Sequence, residues 1–398
     1  MMPIAVDVAL ALAALPVLLA AGYLLLLTLA SARRPPPAAA PPRLRFDLVV
    51  PAHDEEAGIA ATVASLLALD WPAPLRRVVV VADNCRDATA ARARAAGAEV
   101  LERHDPERRG KGYALALAFE RSLAGRRADA VVVVDADTAA SPGLLRAFAA
   151  RLEAGALAVQ ARYGVRNPRA SWRTGLMAIA LALFHDVRSL GRERLGLSAG
   201  LRGNGMCFAA RALREVPHRA FSIVEDLEYG IALGLAGHRV WYAGEAEVLG
   251  DMAAGEAASR PQRRRWEGGR QALRRAQALP LLRRALAGRD RVLLDLFADL
   301  VVPPLGLVAA AALAGLAATT AASLALHRPL VALWPWAGAS TALAVHVLRG
   351  WWLSGTGLRG LGLLARAPAY LAWKLALALG RRAGTPEEWV RTPREPRA

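Results

Sequence analysis

The hydrophobic positions of the chain form long unbroken runs near both ends and short runs in the middle. Val8–Ala30 holds 23 consecutive positions without a charge, and a helix that spans a membrane needs about 20 residues. Two further long runs, Leu300–Leu326 and Leu330–Leu348, lie near the other end and are separated by His327 and Arg328. The pattern therefore predicts one N-terminal transmembrane helix and two C-terminal ones.

The short hydrophobic runs in the middle are typical of buried strands. The segments "FDLVVPAHDEE", "RRVVVVADNC" and "ADAVVVVDAD" each place an apolar run before a carboxylate. Alanine-rich segments with helical composition, Ile59–Leu69 and Ala88–Gly97, lie between them. Short buried strands that alternate with helices predict an α/β fold with a mostly parallel sheet and flanking helices.

Acidic residues stand at the ends of these three predicted strands. Asp83 ends the second strand, and Asp135 and Asp137 follow the third. Because ligands bind at the carboxyl ends of strands in open α/β sheets, we expect one acidic rim at that edge, with separate helix caps as the alternative. A phosphate ligand would need a divalent cation there, and carboxylate oxygens are the ligands that Mg²⁺ and Mn²⁺ prefer.

Composition narrows the class of partner. The 398 residues are 55% hydrophobic with a net charge of +17, which favours a bilayer and phosphate-bearing ligands. A basic groove with interleaved aromatic residues is missing, so we expect no nucleic acid. Only Cys85 and Cys207 are present, which argues against a disulfide framework or a zinc site and fits a reducing compartment.

Charges that flank the first hydrophobic run predict its orientation. Asp7 precedes the run, and Arg33 and Arg34 follow it, whereas a cleaved signal peptide carries basic residues in front. The positive-inside rule then places the N-terminus outside and the residues after Arg33 in the cytoplasm. We expect an uncleaved anchor in the cell (inner) membrane of a multi-pass protein.

The apolar stretch after Thr356 is interrupted by Arg359, Arg366 and Lys374. Their spacing puts the three charges on one helical face, which predicts a helix lying in the membrane interface. A spanning helix would bury Arg366 near its centre at a cost of about 2.5–3.5 kcal/mol.

We therefore expect six parts along the chain. They are an N-terminal anchor (1–32), a proline-rich linker (33–45), a cytoplasmic α/β domain (46–256), a segment of interface helices (257–295), two transmembrane helices (296–353) and an interfacial helix with a basic tail (354–398).

Three further motifs carry candidate chemistry. Lys111 lies between two glycines before a predicted helix, which is typical of a phosphate site or of a solvated loop. Ser222 and Glu225 match a capping box, and Asp226 then lies in the first helical turn as a helix-terminal acid or a general base.

Gln262, Arg265 and Trp266 have the i, i+3, i+4 spacing that places them on one helical face. An arginine beside an aromatic ring can bind a pyrophosphate or stack on a sugar or base. The alternative is a basic juxtamembrane helix that contacts anionic lipid.

These motifs, in this order, resemble the family 2 glycosyltransferases with the GT-A fold, from about Phe46 to Trp266. The resemblance is closest to the membrane-bound branch that contains cellulose, hyaluronan and poly-N-acetylglucosamine synthases. It implies that Asp135-Ala136-Asp137 is the D-x-D motif, which holds a nucleotide-sugar diphosphate through a divalent metal (Mg²⁺ or Mn²⁺). Asp137 and Asp135 are then the implied metal ligands, and Asp226 the implied catalytic base.

The resemblance implies roles for the remaining motif residues as well. The implied nucleotide-sugar-binding residues are Pro51, Ala52, Glu55, Asp83, Lys111, Asp135, Gln262, Arg265 and Trp266. The sequence departs from the family at His53-Asp54, usually Tyr-Asn, and at Ala82-Asp83-Asn84-Cys85, usually Asp-Asp-Gly-Ser.

The resemblance implies a membrane-bound inverting glycosyltransferase that moves a sugar from a nucleotide sugar, expected to be a UDP-sugar, to a glycan or lipid acceptor. Because only two long apolar runs follow the α/β domain, a non-processive glycolipid-forming enzyme is the alternative to a polysaccharide synthase. Two further alternatives are a sugar nucleotidyltransferase, which would need no anchor, and a non-catalytic membrane scaffold.

Overall fold

The computed structural model describes residues 2–38, 41–252 and 256–366. Within these ranges, side chains are described except those of residues 2–3, 126 and 256–267.

The described residues form one eight-stranded sheet with the strand order β3-β2-β1-β4-β7-β6-β8-β5. The strands are β1 (Phe46–Ala52), β2 (Arg76–Asp83), β3 (Glu99–Arg103), β4 (Ala130–Val133), β5 (Thr138–Ala140), β6 (Ala158–Val165), β7 (Met206–Ala209) and β8 (Val240–Gly250).

The sheet is mixed rather than mostly parallel. Strands β1 to β4 pair in parallel, and so do β6 and β8. Strand β7 is antiparallel to both of its neighbours, and β5 is antiparallel to β8. The expectation of a mostly parallel sheet is therefore correct for β1–β4 and for the pair of β6 and β8, and it is wrong for β7 and β5. A strand of four residues such as β7 carries too few positions to reveal its direction from sequence.

Helices cover the sheet and continue beyond it. They are α1 (Met2–Leu29), α2 (Ile59–Leu67), α3 (Thr89–Ala95), α4 (Lys111–Leu123), α5 (Leu144–Glu153), α6 (Trp172–Leu181), α7 (Arg188–Leu195), α8 (Ala210–Glu215), α9 (Glu225–Leu235), α10 (Glu256–Gly288), α11 (Arg291–Val301), α12 (Leu305–Ala325), α13 (Leu333–Ser354) and α14 (Gly357–Leu364). A π-helical segment, Ala182–Val187, joins α6 to α7.

Alternation along the central strands separates two hydrophobic cores. Leu48 and Val50 of β1 pack with α2 and α5 on one face of the sheet. Val49 packs on the other face with Leu115 of α4 and Leu233 of α9. Because successive side chains of a strand point to opposite faces, a strand with apolar residues at every position is buried on both sides.

Two helices in the described part of the chain are long and apolar enough to cross a membrane, Ile4–Leu29 within α1 and Leu305–Ala325, which is α12. The apolar run from Leu300 breaks at Pro303-Pro304, where α11 ends and α12 begins. The two prolines separate the run into two helices, because proline has no backbone N–H to continue the hydrogen bonding of a helix.

The second expected C-terminal span forms the helix α13, but its composition does not meet the same criterion of length and apolarity. This helix includes Trp334, Trp336, His346 and Arg349, which lower its mean hydropathy. Small residues on α13, such as Ala339, pack against α1 and α12. The expected pattern of spans is therefore supported in part.

The helix α1 also contacts the α/β domain through α7. A side chain at Gly191 of α7 would place its Cβ 2.4 Å from the carbonyl oxygen of Leu27, so glycine permits this close approach. The C-terminal interface helix was expected from Leu358 to Leu379, and α14 covers its start. Lys374 and the basic tail lie outside the described residues.

Candidate active site

Four candidate residues lie at the carboxyl edge of the parallel strands β2-β1-β4. In the register of β1 and β2, Pro51 pairs with Val81 and Ala52 pairs with Ala82. Asp83 is the last residue of β2. Glu55 follows β1, and its backbone N–H donates to Thr89 Oγ1 at 2.7 Å. The three strand ends therefore meet as the sequence predicts.

Lys111 connects this edge to the start of α9. Its Nζ donates to Asp135 Oδ1 at 2.6 Å and to the carbonyl oxygen of Gly203 at 2.5 Å. Glu225 Oε1 lies 3.7 Å from the same nitrogen. Burial alone would lower the pKa of Lys111, but Asp135 and Glu225 hold it above its ordinary value. Lys111 is therefore a charged bridge inside the acidic site, and the solvated-loop interpretation is wrong.

The helix α9 begins at Glu225 without the expected capping box. Its N-cap is Val224, and the backbone N–H of Ser222 donates to Glu228 Oε2 at 3.2 Å. A cap made by Ser222 is therefore excluded, because the helix starts two residues later than that motif requires. Glu225 therefore does not take part in a capping box, and it lies buried beside Lys111.

The two carboxylates at the start of α9 have raised pKa values. Burial raises the pKa of Glu225 to about 7, against the opposing effect of the Lys111 charge. Burial also raises the pKa of Asp226, although the backbone N–H of Leu227 donates to its Oδ1 at 2.8 Å. A carboxylate with a raised pKa accepts a proton more readily than an ordinary one.

A glycine-rich loop, residues 203–205, fits between β4 and α9. Gly203 has φ +78°, and a Cβ there would lie 3.4 Å from Asp226 Oδ2. Asn204 Oδ1 accepts from the backbone N–H of Asp135 at 3.1 Å, and its Nδ2 donates to Thr138 Oγ1 at 2.8 Å. Sequence reasoning missed Asn204. The only signal was its position between two glycines.

Asp135 and Asp137 are both half-buried after the end of β4. Burial raises the pKa of the Tyr163 hydroxyl, and the charges of these two carboxylates raise it further. Mg²⁺ and Mn²⁺ are commonly bound by one or two carboxylates together with substrate phosphates, so the residues present fit such a metal.

The described residues also bring Asp54, Cys85 and Asp87 within 4.8 Å of one another. Asp54 Oδ1 accepts from the backbone N–H of Arg86 at 2.7 Å, and Asp87 Oδ2 accepts from that of Glu56 at 3.1 Å. These bonds tie together the loops that follow β1 and β2, which gives the group a structural explanation.

Asp83, one of the expected nucleotide-sugar-binding residues, is paired within the protein. Arg103 Nη1 donates to Asp83 Oδ1 at 2.7 Å, and Asn84 Nδ2 donates to the same oxygen at 3.0 Å. Burial raises the pKa of Asp83, and the Arg103 charge opposes the rise. Arg103 also lies 5.5 Å from the ring centroid of Tyr113. No motif in the sequence marks Arg103 or Tyr113.

Gln262, Arg265 and Trp266 lie on α10, and their side chains are outside the described part. Their shared helical face follows from the backbone, while their roles stay predictions.

Comparison with known proteins gives one family. A family model described as "Glycosyltransferase like family 2" matches residues 41–269. The beta-monoglucosyldiacylglycerol synthase of Synechocystis sp. is 31% identical over 235 residues, which are 56% of this chain and 47% of that protein. The chain thus spans about half the length of this curated relative.

One solved structure shows a similar fold. A mannosyltransferase from Pyrobaculum calidifontis, in complex with GDP-Man and Mn²⁺, superposes with a TM-score of 0.51 at 20% identity, over 87% of this chain and 96% of that one. Glucosyl-3-phosphoglycerate synthase from Mycobacterium tuberculosis gives a TM-score of 0.37 at 26% identity, over 53% of this chain and 72% of that one. The first likeness shows that the fold is of the GT-A type.

Proposed function

The chain belongs to the glycosyltransferase-like family 2, and from this membership we propose that it is a membrane-bound, inverting enzyme that moves a sugar from a nucleotide sugar to a lipid. The expected donor is a UDP-sugar. The proposal places the site on the cytoplasmic face of the cell (inner) membrane.

One observation carries the assignment of the site. Lys111 Nζ lies 2.6 Å from Asp135 and 3.7 Å from Glu225. A single side chain thereby joins the edge where a donor diphosphate would bind to the helix start that carries Asp226. A displacement at the anomeric carbon requires the donor and a general base close together, here the donor at the sheet edge near Asp135 and the base Asp226 at the start of α9.

The chemistry then follows from the residues. Asp226 removes the proton of the acceptor hydroxyl while that oxygen attacks the anomeric carbon, the bond from this carbon to the diphosphate breaks, and the configuration inverts. Asp137 and Asp135 would hold Mg²⁺ or Mn²⁺, which supplies positive charge next to the leaving diphosphate. Lys111 holds Asp135 in place, and Arg265 is proposed to contact the diphosphate.

The remaining candidates are proposed to hold the nucleotide. Pro51 and Ala52 at the end of β1, with Glu55 just after it, are proposed to contact the nucleotide. Asp83 and Arg103 are proposed to contact its nucleobase. Gln262 and Trp266 are proposed to close the donor site from α10.

A lipid acceptor is supported over a growing polysaccharide by two observations. The curated relative is a synthase of a glucosyldiacylglycerol by its name, and α1 and α12 have the length and composition of spanning helices. Polysaccharide synthesis is the second candidate, favoured by the Q-x-x-R-W spacing of Gln262, Arg265 and Trp266.

The test uses the purified full chain in phospholipid vesicles with a panel of sugar nucleotides. We expect release of nucleoside diphosphate and a new glycolipid by mass spectrometry, and we expect both to be lost with excess chelator and in Asp137→Asn. Turnover that is unchanged in chelator would contradict the metal dependence. A product that lengthens with time would favour the polysaccharide synthase.

A further inference from the structure

Three arginine side chains surround the ring of Phe184, which lies in the π-helical segment between α6 and α7. The guanidinium carbons of Arg202, Arg188 and Arg270 are 4.3, 4.9 and 5.9 Å from its ring centroid. An aromatic face attracts one cation, but it does not neutralise three. We call these three arginines, with Phe184, the arginine cluster.

The nearby carboxylates leave the arginine cluster with excess positive charge. Asp299 lies 3.2 Å from Arg188 and 4.0 Å from Arg270. The same carboxylate lies 2.7 Å from Arg192, which also pairs with Asp295 at 2.9 Å. Three guanidinium groups, those of Arg188, Arg192 and Arg270, therefore pair with the two carboxylates of Asp295 and Asp299, and the guanidinium group of Arg202 pairs with neither.

Arg202 receives the least compensation. It is 7% exposed, and among the described residues no carboxylate oxygen lies within 4.0 Å of it. Its Nη2 donates to the carbonyl oxygen of Ala199 at 3.0 Å, while its Nε has no hydrogen-bond partner within the described part of the chain.

Burial, which is only partly opposed by the charges of Asp299 and Asp226, lowers the pKa of Arg202 to about 10, and the charges of Arg192 and Arg188 act in the same direction as burial. The side chain therefore still carries its charge at neutral pH. Buried charges in proteins are paired or bind ions, because an unpaired charge in the interior is strongly unfavourable. Within the described part of the chain no carboxylate pairs directly with Arg202, so a bound anion would stabilise its buried charge.

The position of the cluster indicates where that anion comes from. On one side, Arg202 directly precedes Gly203, which stands against Asp226. On the other side, Arg192, which shares Asp299 with Arg188 of the cluster, donates from Nη2 to the Tyr23 hydroxyl of α1 at 2.7 Å. The cluster therefore lies between the proposed base and a helix with the composition of a membrane span.

We propose that Arg202, assisted by Arg188 and Arg270, binds the phosphate of an anionic acceptor lipid whose headgroup also carries a free hydroxyl. The inference rests on the proposed function and narrows its acceptor to a class that differs from diacylglycerol. The hydroxyl oxygen attacks the anomeric carbon and loses its proton to Asp226, and the nucleoside diphosphate leaves with the bonding electron pair. The lipid phosphate stays intact.

The test compares phosphatidylglycerol, which has both groups, with diacylglycerol, which lacks the phosphate, each presented to the full chain in phosphatidylcholine vesicles with donor. We expect the wild type to glycosylate phosphatidylglycerol preferentially. Arg202→Met should raise the KM for phosphatidylglycerol at least tenfold, because a charge-assisted contact is lost, and should leave the KM for the donor unchanged.

Arg239→Met is the matched control. Arg239 also lies 4.3 Å from an aromatic centroid, that of Trp241, but it is paired with Glu193 at 3.0 Å. We expect this variant to keep the KM for both substrates.

A thermal melt without substrates separates an anion site from a structural role. If Arg202 forms an anion-binding site, Arg202→Met removes an uncompensated buried charge from the protein without substrates. The melting temperature of this variant should then equal or exceed that of the wild type. A fall in melting temperature together with equal losses on all substrates would mean that Arg202 is structural and would overturn the proposal.

Three further outcomes would also overturn it. Equal use of diacylglycerol and phosphatidylglycerol would show that no lipid phosphate is recognised, while the proposed function would stand. A raised KM for the donor alone in Arg202→Met would assign the anion to the donor diphosphate. Absence of transfer to any lipid, with the donor unconsumed, would remove the proposed function and this inference together.

Discussion

At the scale of single residues, the site depends on how one lysine shares its charge among acids. Lys111 contacts Asp135 and Gly203 and lies near Glu225. The position of Lys111 between glycines was visible in the sequence, but its partners come from residues 24 to 114 positions away in the chain. Sequence reasoning could therefore select Lys111 and could not say that it binds carboxylates.

The first prediction concerns Asp226 as the catalytic base. Asp226→Asn should reduce turnover at least a hundredfold, since general-base catalysis contributes about 10²–10⁴, while the KM for the donor stays the same. Steady-state kinetics in vesicles measures both. Asparagine and aspartate serve a helix N-terminus about equally well, so near-normal turnover would mean that Asp226 only supports α9.

The second prediction concerns the pH dependence of stability. The pKa of Glu225 is raised from 4.5 to about 7, so the folded state binds its proton more tightly than the unfolded state does. This contribution to stability is complete below about pH 4.5 and is lost as the pH rises to about 7.

The glutamine in Glu225→Gln cannot titrate, so the free energy of unfolding of this variant should not include the pH-dependent contribution of Glu225. We expect the difference in unfolding free energy between variant and wild type to change by an amount on the order of 1–3 kcal/mol between pH 4.5 and 7. Thermal melts over that range measure it. A constant difference across the range would show that Glu225 stays ionised in the folded protein.

At the scale of elements, the ends of β1, β2 and β4 were predictable, and the loop before β7 was not. Runs of valine identify buried strands, and an acid after each run marks the edge where they meet. Asn204 could not be found in this way, because its role arises from two bonds to the segment 135–138, which leads from β4 into β5. The expected cap by Ser222 was wrong for a related reason, since burial of Glu225 beside Lys111 outweighs a local motif.

The third prediction tests the loop 203–205. Asn204→Ala leaves the backbone N–H of the half-buried Asp135 without its acceptor, which should cost about 1 kcal/mol of stability and raise the KM for the donor severalfold. Tyr229→Phe is the control, because it removes the buried bond to Val216 without touching Asp135. Equal effects of both variants on the donor KM would contradict the role of Asn204.

At the scale of the whole molecule, the α/β domain and the apolar helices form one connected structure. Tyr23 of α1 donates to Asp295 at 2.8 Å, and Asp295 pairs with Arg192 of the α/β domain. The sequence predicted an anchor and a domain as separate parts. It could not predict the contact, because buried pairs between distant segments leave no periodic pattern.

The fourth prediction concerns topology. If the stretch from Leu358 lies in the interface, the C-terminus stays in the cytoplasm. A cysteine introduced as Ala398→Cys, with Cys85 and Cys207 replaced by alanine, should then resist an impermeant thiol reagent added to intact cells. Arg328→Cys in the same background should react, because the turn between α12 and α13 is exposed and is expected outside. Labelling at position 398 without lysis would mean that this stretch spans the membrane.

The central claim is a single displacement at the anomeric carbon with a lipid as acceptor. The most direct measurement is the anomeric configuration of the glycolipid that the full chain forms from an α-linked nucleotide sugar, read by the proton coupling of the anomeric centre in an NMR spectrum. The account predicts a β-linked glycolipid from the wild type and none from Asp226→Asn. An α-linked product would contradict the account.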